Sequence, residues 1–147
     1  MYNNNELFKA LVKGFNENRF KETIDSLLEE SMGNKEYMKK TIAALCGVEV
    51  SPTDNDFYYS LNQSILNYNE NHKIVTKVKE CNMNCSTANG RTQCQNACPF
   101  EAIKIDDQKH TTFIENSKCI DCGFCIEACP NNSYMDKVEY IPLVSLS

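Results

Sequence analysis

The chain has 147 residues, room for one ordinary domain or two small ones, and its 41% hydrophobic and 24% charged content fits a soluble globular protein better than a disordered one. Its formal charge of −5, with no Lys/Arg cluster in either half, excludes the positive footprint that nucleic acid requires. No apolar run reaches the roughly 18 to 20 residues that span a bilayer, and the polar residues 1–6 lack a signal peptide's basic and apolar regions, so no membrane partner and a cytoplasmic location are expected.

The first 73 residues read as helical. Leu7, Phe8, Leu11, Val12 and Phe15 fall on one helical face, with a break expected at Gly14 and Asn16-Glu17-Asn18. Phe20, Ile24, Leu27 and Leu28 make a second stripe. Gly33-Asn34 is a turn, with Asn34 placed to cap a third helix carrying Met38, Ile42, Leu45 and Cys46 inward and stopping at Gly47. Ser51-Pro52-Thr53-Asp54 reads as a loop or a helix start. Phe57, Leu61, Ile65 and Tyr68 form a fourth stripe, and together the four predict a small bundle. Cys46 reads as an inert buried thiol, and His72 and His110 as solvated side chains.

At Ile74 the texture changes. Ile74-Val75-Thr76-Lys77-Val78 alternates as a strand does and leads into a cysteine-rich stretch. The second half repeats internally, one copy ending in Cys98-Pro99 and the other in Cys129-Pro130. Between them, Asp106-Asp107-Gln108 reads as a turn joining strands at 102–105 and 112–114. The fold class expected is α+β, with a helical leader over 1–73 and a second domain over 74–147. The apolar stretch 140–147 suits a continuation of the chain, a docking strand, or packing across the helices.

Eight of the nine cysteines lie between 81 and 129. The odd count and the missing secretion signal argue against a disulfide scaffold and for metal ligands. The second group, Cys119-Ile-Asp-Cys122-Gly-Phe-Cys125-Ile-Glu-Ala-Cys129-Pro130, is the C-x2-C-x2-C-x3-C-P run of bacterial ferredoxins. The first, Cys81-Asn-Met-Asn-Cys85 and then Cys94-Gln-Asn-Ala-Cys98-Pro99, keeps the same ending. It has one extra residue before Cys85 and an insertion over 86–93, whose Asn89-Gly90 signals a turn. Two zinc knuckles are the rival metal reading, which the Cys-Pro endings and the intervening strand fit poorly.

Residues 79–138 therefore resemble the bacterial two-cluster ferredoxin domain. That resemblance implies a (βαβ)2 fold and two [4Fe-4S] clusters with crossed ligation. One cluster would take Cys81, Cys85, Cys94 and Cys129. The other would take Cys119, Cys122, Cys125 and Cys98. Were Cys81 or Cys85 not to ligate, the first site would hold three irons. Ile103, Ile105, Ile114, Ile120, Phe124 and Ile126 would wall the clusters from water.

The segment Glu6-Leu-Phe-Lys-Ala-Leu-Val-Lys-Gly-Phe-Asn-Glu-Asn-Arg-Phe20, followed by Ile42-Ala-Ala-Leu-Cys-Gly-Val48, is similar to the opening of monomeric iron-only hydrogenases of anaerobes. Asn, Lys and Ile richness is compatible with such a source. In that family a helical leader and a two-cluster module precede the catalytic domain, whose motifs do not appear here. The chain would then be a shortened piece of such an enzyme, a separate subunit, or a stand-alone ferredoxin with an extension. No phosphate loop, nucleotide fingerprint or nucleophile–base pair is present, so no catalytic residue is expected. The expected function is electron transfer to or from a redox protein partner. The alternatives are a subunit feeding a hydrogenase-like catalytic domain and an iron–sulfur redox or oxygen sensor.

Overall fold

The computed structural model describes residues 3–31, 33–51, 55–68 and 73–145, which form two compact units. The first is built from 1–70 together with 137–147, the second from 71–136. His72 and residues 52–54 of the expected Ser51–Asp54 loop lie outside the described residues.

The first unit opens with α1 (Asn4–Asn16), whose start is fixed by the Asn3 side chain accepting the Glu6 N–H at 2.8 Å. The helix runs through Gly14 rather than breaking there. Gly14 is used for close approach, since a side chain at that position would run into Thr23 of α2 (Phe20–Glu30). The turn between the helices falls at Asn18, which takes a left-handed conformation (φ 60°). Leu7, Leu11, Ile24 and Leu27 are buried at helical spacing, and Phe15 meets Phe20 edge-on at 5.4 Å.

In α3 (Lys35–Leu45), Asn34 occupies the N-cap position but makes no side-chain capping bond. The C-terminal turn is buried all round, from Thr41 to Leu45, so it is enclosed instead of presenting a stripe. Gly47 ends it at φ 80°, with the Gly47 N–H on the Ala44 carbonyl at 3.0 Å and the Val48 N–H on that of Ala43 at 2.9 Å. This is the Schellman arrangement, which satisfies carbonyls a helix end leaves open. Helix α4 (Phe57–Leu66) is capped by Asp56, which accepts the Tyr59 N–H at 3.0 Å, and buries Phe57, Leu61 and Ile65.

Residues 137–147, grouped by sequence with the cysteine-bearing half, belong to this first unit. The Val138 N–H bonds the Ala44 carbonyl at 2.8 Å, and α7 (Tyr140–Ser145) places Ile141 fully out of water. Its Tyr140 ring meets Phe8 edge-on at 6.2 Å, and the nearly buried Lys137 ammonium reaches the Glu49 carboxylate at 3.0 Å. Ile141 and Pro142 of this stretch are therefore core residues, whereas Tyr140 and Leu143 stay about half exposed.

The second unit runs β1 (Val75–Lys77), α5 (Gln93–Ala97), β2 (Ile103–Asp106), β3 (Thr111–Ile114), α6 (Phe124–Ala128) and β4 (Tyr134–Asp136). It contains two antiparallel ribbons. β1 pairs with β4, Lys77 opposite Tyr134, and β2 pairs with β3, Ile103 opposite Ile114. The β2–β3 turn is held by the Asp106 carboxylate, which accepts the Gln108 and Lys109 N–H groups, and closes with the exposed His110 at φ 52°. The whole is mixed helix and small sheets, an α+β composition. No described helix is long and apolar enough to cross a membrane.

Gly47→Ala forces a positive φ and drives a Cβ to 2.9 Å from both Pro142 and the Val138 carbonyl; urea unfolding followed by circular dichroism should show a loss of about 2 to 4 kcal/mol. Gly33→Ala, where nothing lies within 4 Å, should cost only about 1 kcal/mol. Cys46 is fully buried, and that burial pushes its thiol far above the ordinary range. Mass spectrometry should therefore find it unalkylated by iodoacetamide at pH 8 in the native protein and modified only on unfolding.

Candidate metal centre

The two cysteine groups are two copies of one backbone path. Each short helix, α5 and α6, ends on a cysteine followed by proline, and a residue before proline is pushed out of helical conformation. Cys98 (φ −85°, ψ 111°) and Cys129 (φ −78°, ψ 116°) are accordingly extended. Three residues later Glu101 and Asn132 are both left-handed at φ 54°. The next amide then turns back onto the sulfur, Ala102 N–H to Cys98 Sγ at 3.3 Å and Ser133 N–H to Cys129 Sγ at 3.5 Å.

The copies match at their front ends too. Two residues after Cys81 and Cys119, Met83 (φ 60°) and Asp121 (φ 61°) are left-handed. The Asp121 N–H lies 3.4 Å from Cys119 Sγ, and the backbone at Met83 bonds the Cys81 sulfur likewise. The extra residue of the first group, Asn84, comes after this shared corner. The insertion over 86–93 closes on itself: Gly90 (φ 80°) donates to the Thr87 carbonyl, and Asn96 of α5 donates to the Thr87 hydroxyl at 2.8 Å. It returns the chain to Thr92, which caps α5 in a reciprocal capping box with Gln95.

Cys98, Cys119, Cys122 and Cys125 line one depression that opens to solvent. Val75, Ala102, Ile103 and Ile114 form its inner side. Of the six apolar residues expected to wall the site, Ile103 is buried and Ile114 and Ile126 pack against the same core. Ile105, Ile120 and Phe124 are instead exposed, Ile120 and Phe124 by half or more. Ile120 and Phe100 stand at the rim of the depression, so the rim is apolar and open.

Two of the other four cysteines, Cys81 and Cys94, meet at a more polar node. Cys94 and Cys129 share the core with Val75, Cys125 and Tyr134. The Thr112 hydroxyl reaches Cys81 Sγ at 3.9 Å, Cys94 Sγ at 4.0 Å and the Tyr134 hydroxyl at 2.7 Å. Tyr134 in turn donates to Cys94 Sγ at 3.5 Å. Burial, and then the Cys94 contact, raise the Tyr134 phenol, which stays a protonated donor. Cys85 is half-buried, and none of these contacts reaches it. Lys77 lies four residues before Cys81, but nothing in the local sequence around Cys81 or Cys94 marks Thr112 or Tyr134 as neighbours. The available signal is their place on strands that flank the two groups.

These thiols stand in for the thiolates that would bind metal. Burial, followed by the charges of Cys119 and Cys122, pushes Cys125 up to about 12, and burial also raises Cys119. Sulfurs so crowded become thiolates together only around a cationic core. At Cys81 burial also raises the thiol, but the Thr111 hydroxyl, the backbone at Met83 and Thr112, and Lys77 outweigh it and leave about 7. Among the described residues no three His, Cys, Asp or Glu side chains are grouped to hold a single metal ion. Four sulfurs around one depression, those of Cys98 and Cys119 bonded by backbone amides, fit a polynuclear iron–sulfur core. Ser133 Oγ, buried and unpartnered among the described residues, is a further donor beside Cys129.

Comparison with known proteins agrees. The family model described as the 4Fe-4S dicluster domain matches residues 78–133. A polyferredoxin-like subunit of an aliphatic sulfonate oxidoreductase from Pyrococcus furiosus is 41% identical over 49 residues, 33% of this chain and 25% of that protein. The polyferredoxin protein MvhB of Methanothermobacter marburgensis is 35% identical over 71 residues, 40% of this chain and 17% of that one. An uncharacterised protein of the rpl9-rpl11 intergenic region of Porphyra purpurea is 38% identical over 56 residues, 34% of this chain and 75% of its own length. The chain thus spans only a quarter or less of the two polyferredoxin relatives. No solved structure matches.

Asp121 ties this centre to β1. Its carboxylate accepts the N–H groups of Ile74 and Val75, each at 3.0 Å. Asp121→Ala orphans both donors and places alanine at positive φ. Urea unfolding should show a loss of about 2 to 4 kcal/mol. Asp121→Asn, which keeps an acceptor and tolerates the left-handed conformation, should lose less than half as much.

Proposed function

We propose that this chain, which belongs to the 4Fe-4S dicluster domain family through residues 78–133, carries single electrons through two [4Fe-4S] clusters held in the 71–136 unit. The observation that carries the reading is the repeated Cys-Pro corner, with four thiols lining one depression and two of the other set, Cys81 and Cys94, meeting at Thr112. Cys119, Cys122, Cys125 and Cys98 would hold one cluster. Cys81, Cys85, Cys94 and Cys129 would hold the other, with Cys98 and Cys129 each crossing to the far site. The element order β-α-β-β-α-β is read as the ferredoxin (βαβ)2 arrangement.

When bound, such clusters take up and release one electron at potentials within roughly −700 to +450 mV. The protein's part is to ligate and to tune. The amides of Ala102, Asp121 and Ser133 aim N–H dipoles at ligand sulfurs, which stabilises added negative charge. Val75, Ile103 and Ile114 exclude water from the inner wall. The exposed Ile120 and Phe100 leave the outer wall thin, where a redox partner can approach.

A relay within a larger redox assembly is favoured over a freely diffusing carrier. Two of the relatives are named as polyferredoxins or polyferredoxin-like, one of them a subunit of an oxidoreductase. A hydrogenase-like acceptor, suggested by the resemblance of residues 6–20, is one form of that relay. Reducing cytoplasm is the compartment that suits eight unpaired thiols.

Anaerobic reconstitution tests the reading. Colorimetric assays should find about eight irons and eight acid-labile sulfides per chain, with reduced-cluster EPR signals. Four irons or fewer would sink the two-cluster claim.

A further inference from the structure

The two sites differ in charge at equivalent sulfurs. At Cys119, the carboxylate of Asp121 lies 3.8 Å from Sγ, and the Lys73 ammonium donates to the Cys119 carbonyl. The two charges offset one another. At Cys81, the equivalent position in the repeat, the Lys77 ammonium lies 3.7 Å from Sγ. Its other partners are neutral: the Thr111 hydroxyl at 2.7 Å, the Thr112 hydroxyl at 3.3 Å, the Thr112 carbonyl, and the face of the Tyr134 ring at 5.9 Å. Among the described residues no carboxylate lies within ion-pair distance of it.

A half-buried ammonium without a counter-ion is costly. Lys77 nevertheless is fixed by strand pairing opposite Tyr134 and anchored by three oxygens. The thiolate of Cys81 and the anionic cluster it would bind are the charges that complete it. Added negative charge on that cluster is stabilised by a nearby cation, and a reduced cluster is one charge more negative than an oxidised one.

We propose that Lys77 sets the two sites apart, holding the Cys81 site at the higher reduction potential so that the first electron accepted by the chain resides there. The inference rests on the two-cluster reading above. Its balance is simple: a one-electron reductant in solution is oxidised, one cluster gains that electron, and no bond or proton moves.

The test uses the full chain, reconstituted anaerobically, with iron counted before a stepwise dithionite titration at controlled potential read by EPR. The wild-type protein should show two separate reduction steps. Lys77→Gln should lower the higher one by at least about tenfold in the reduction equilibrium constant, about 59 mV for one electron, and leave the other in place. Lys77→Arg, which keeps the charge, should restore the separation. Eight irons with coincident steps in the wild-type protein would overturn the assignment without recourse to any variant. So would a fully loaded Lys77→Gln protein with both potentials unmoved. Four irons or fewer in the wild-type protein would instead remove the two-cluster reading, and the assignment with it.

Discussion

The second unit depends on what proline does to the residue before it. Cys98 and Cys129 cannot stay helical ahead of Pro99 and Pro130, so each swings out as its helix ends. The left-handed residue at 101 or 132 then brings an amide back to the sulfur. A steric clash thus fixes where two thiols stand, what bonds to them, and where β2 and β4 begin. Since the corner needs only a proline, a left-handed residue and an amide, it tolerates different neighbours, Ala102 and Ile103 in one copy and Ser133 and Tyr134 in the other.

That tolerance is where the two copies part. Around the regular group the side chains are apolar and half exposed, with Phe100, Ile120 and Phe124 on the surface. Asn131, Asn82 and Gln93 stand at the corresponding places of the other group. Hydroxyls of Thr111, Thr112 and Tyr134 and the ammonium of Lys77 lie beside two of its sulfurs, those of Cys81 and Cys94. One backbone path therefore offers an oily mouth at one end and a hydrogen-bonding interior at the other.

Much of this was legible in the sequence because it is local. The stripes of α2 and α4 follow from spacing, and Gly47 reads as a stop because only a left-handed residue closes a Schellman turn there. The repeat of the cysteine groups is likewise written in the order of residues. What was not legible is non-local. Gly14 looks like a breaker in a single helix, and becomes a contact point only once Thr23 packs beside it. Ile105, Ile120 and Phe124 are apolar by type, and only the path of the chain leaves them outside. Lys77 and Tyr134 are 57 residues apart, and the pairing of β1 with β4 is what brings both to the Cys81 and Cys94 sulfurs.

The first unit is assembled from both sides of the second, since Val138 and Ile141 complete a core that α1 to α4 begin. On the ribosome the helices emerge first yet lack their final plug until the whole cysteine-bearing segment has been made. During that interval the Ala44 carbonyl lacks its Val138 partner and the turn at Gly47 lacks Pro142 against it. The last piece of the helical core is therefore added only after all eight thiols of the cysteine-bearing segment have been synthesised, which places completion of one unit behind synthesis of the other.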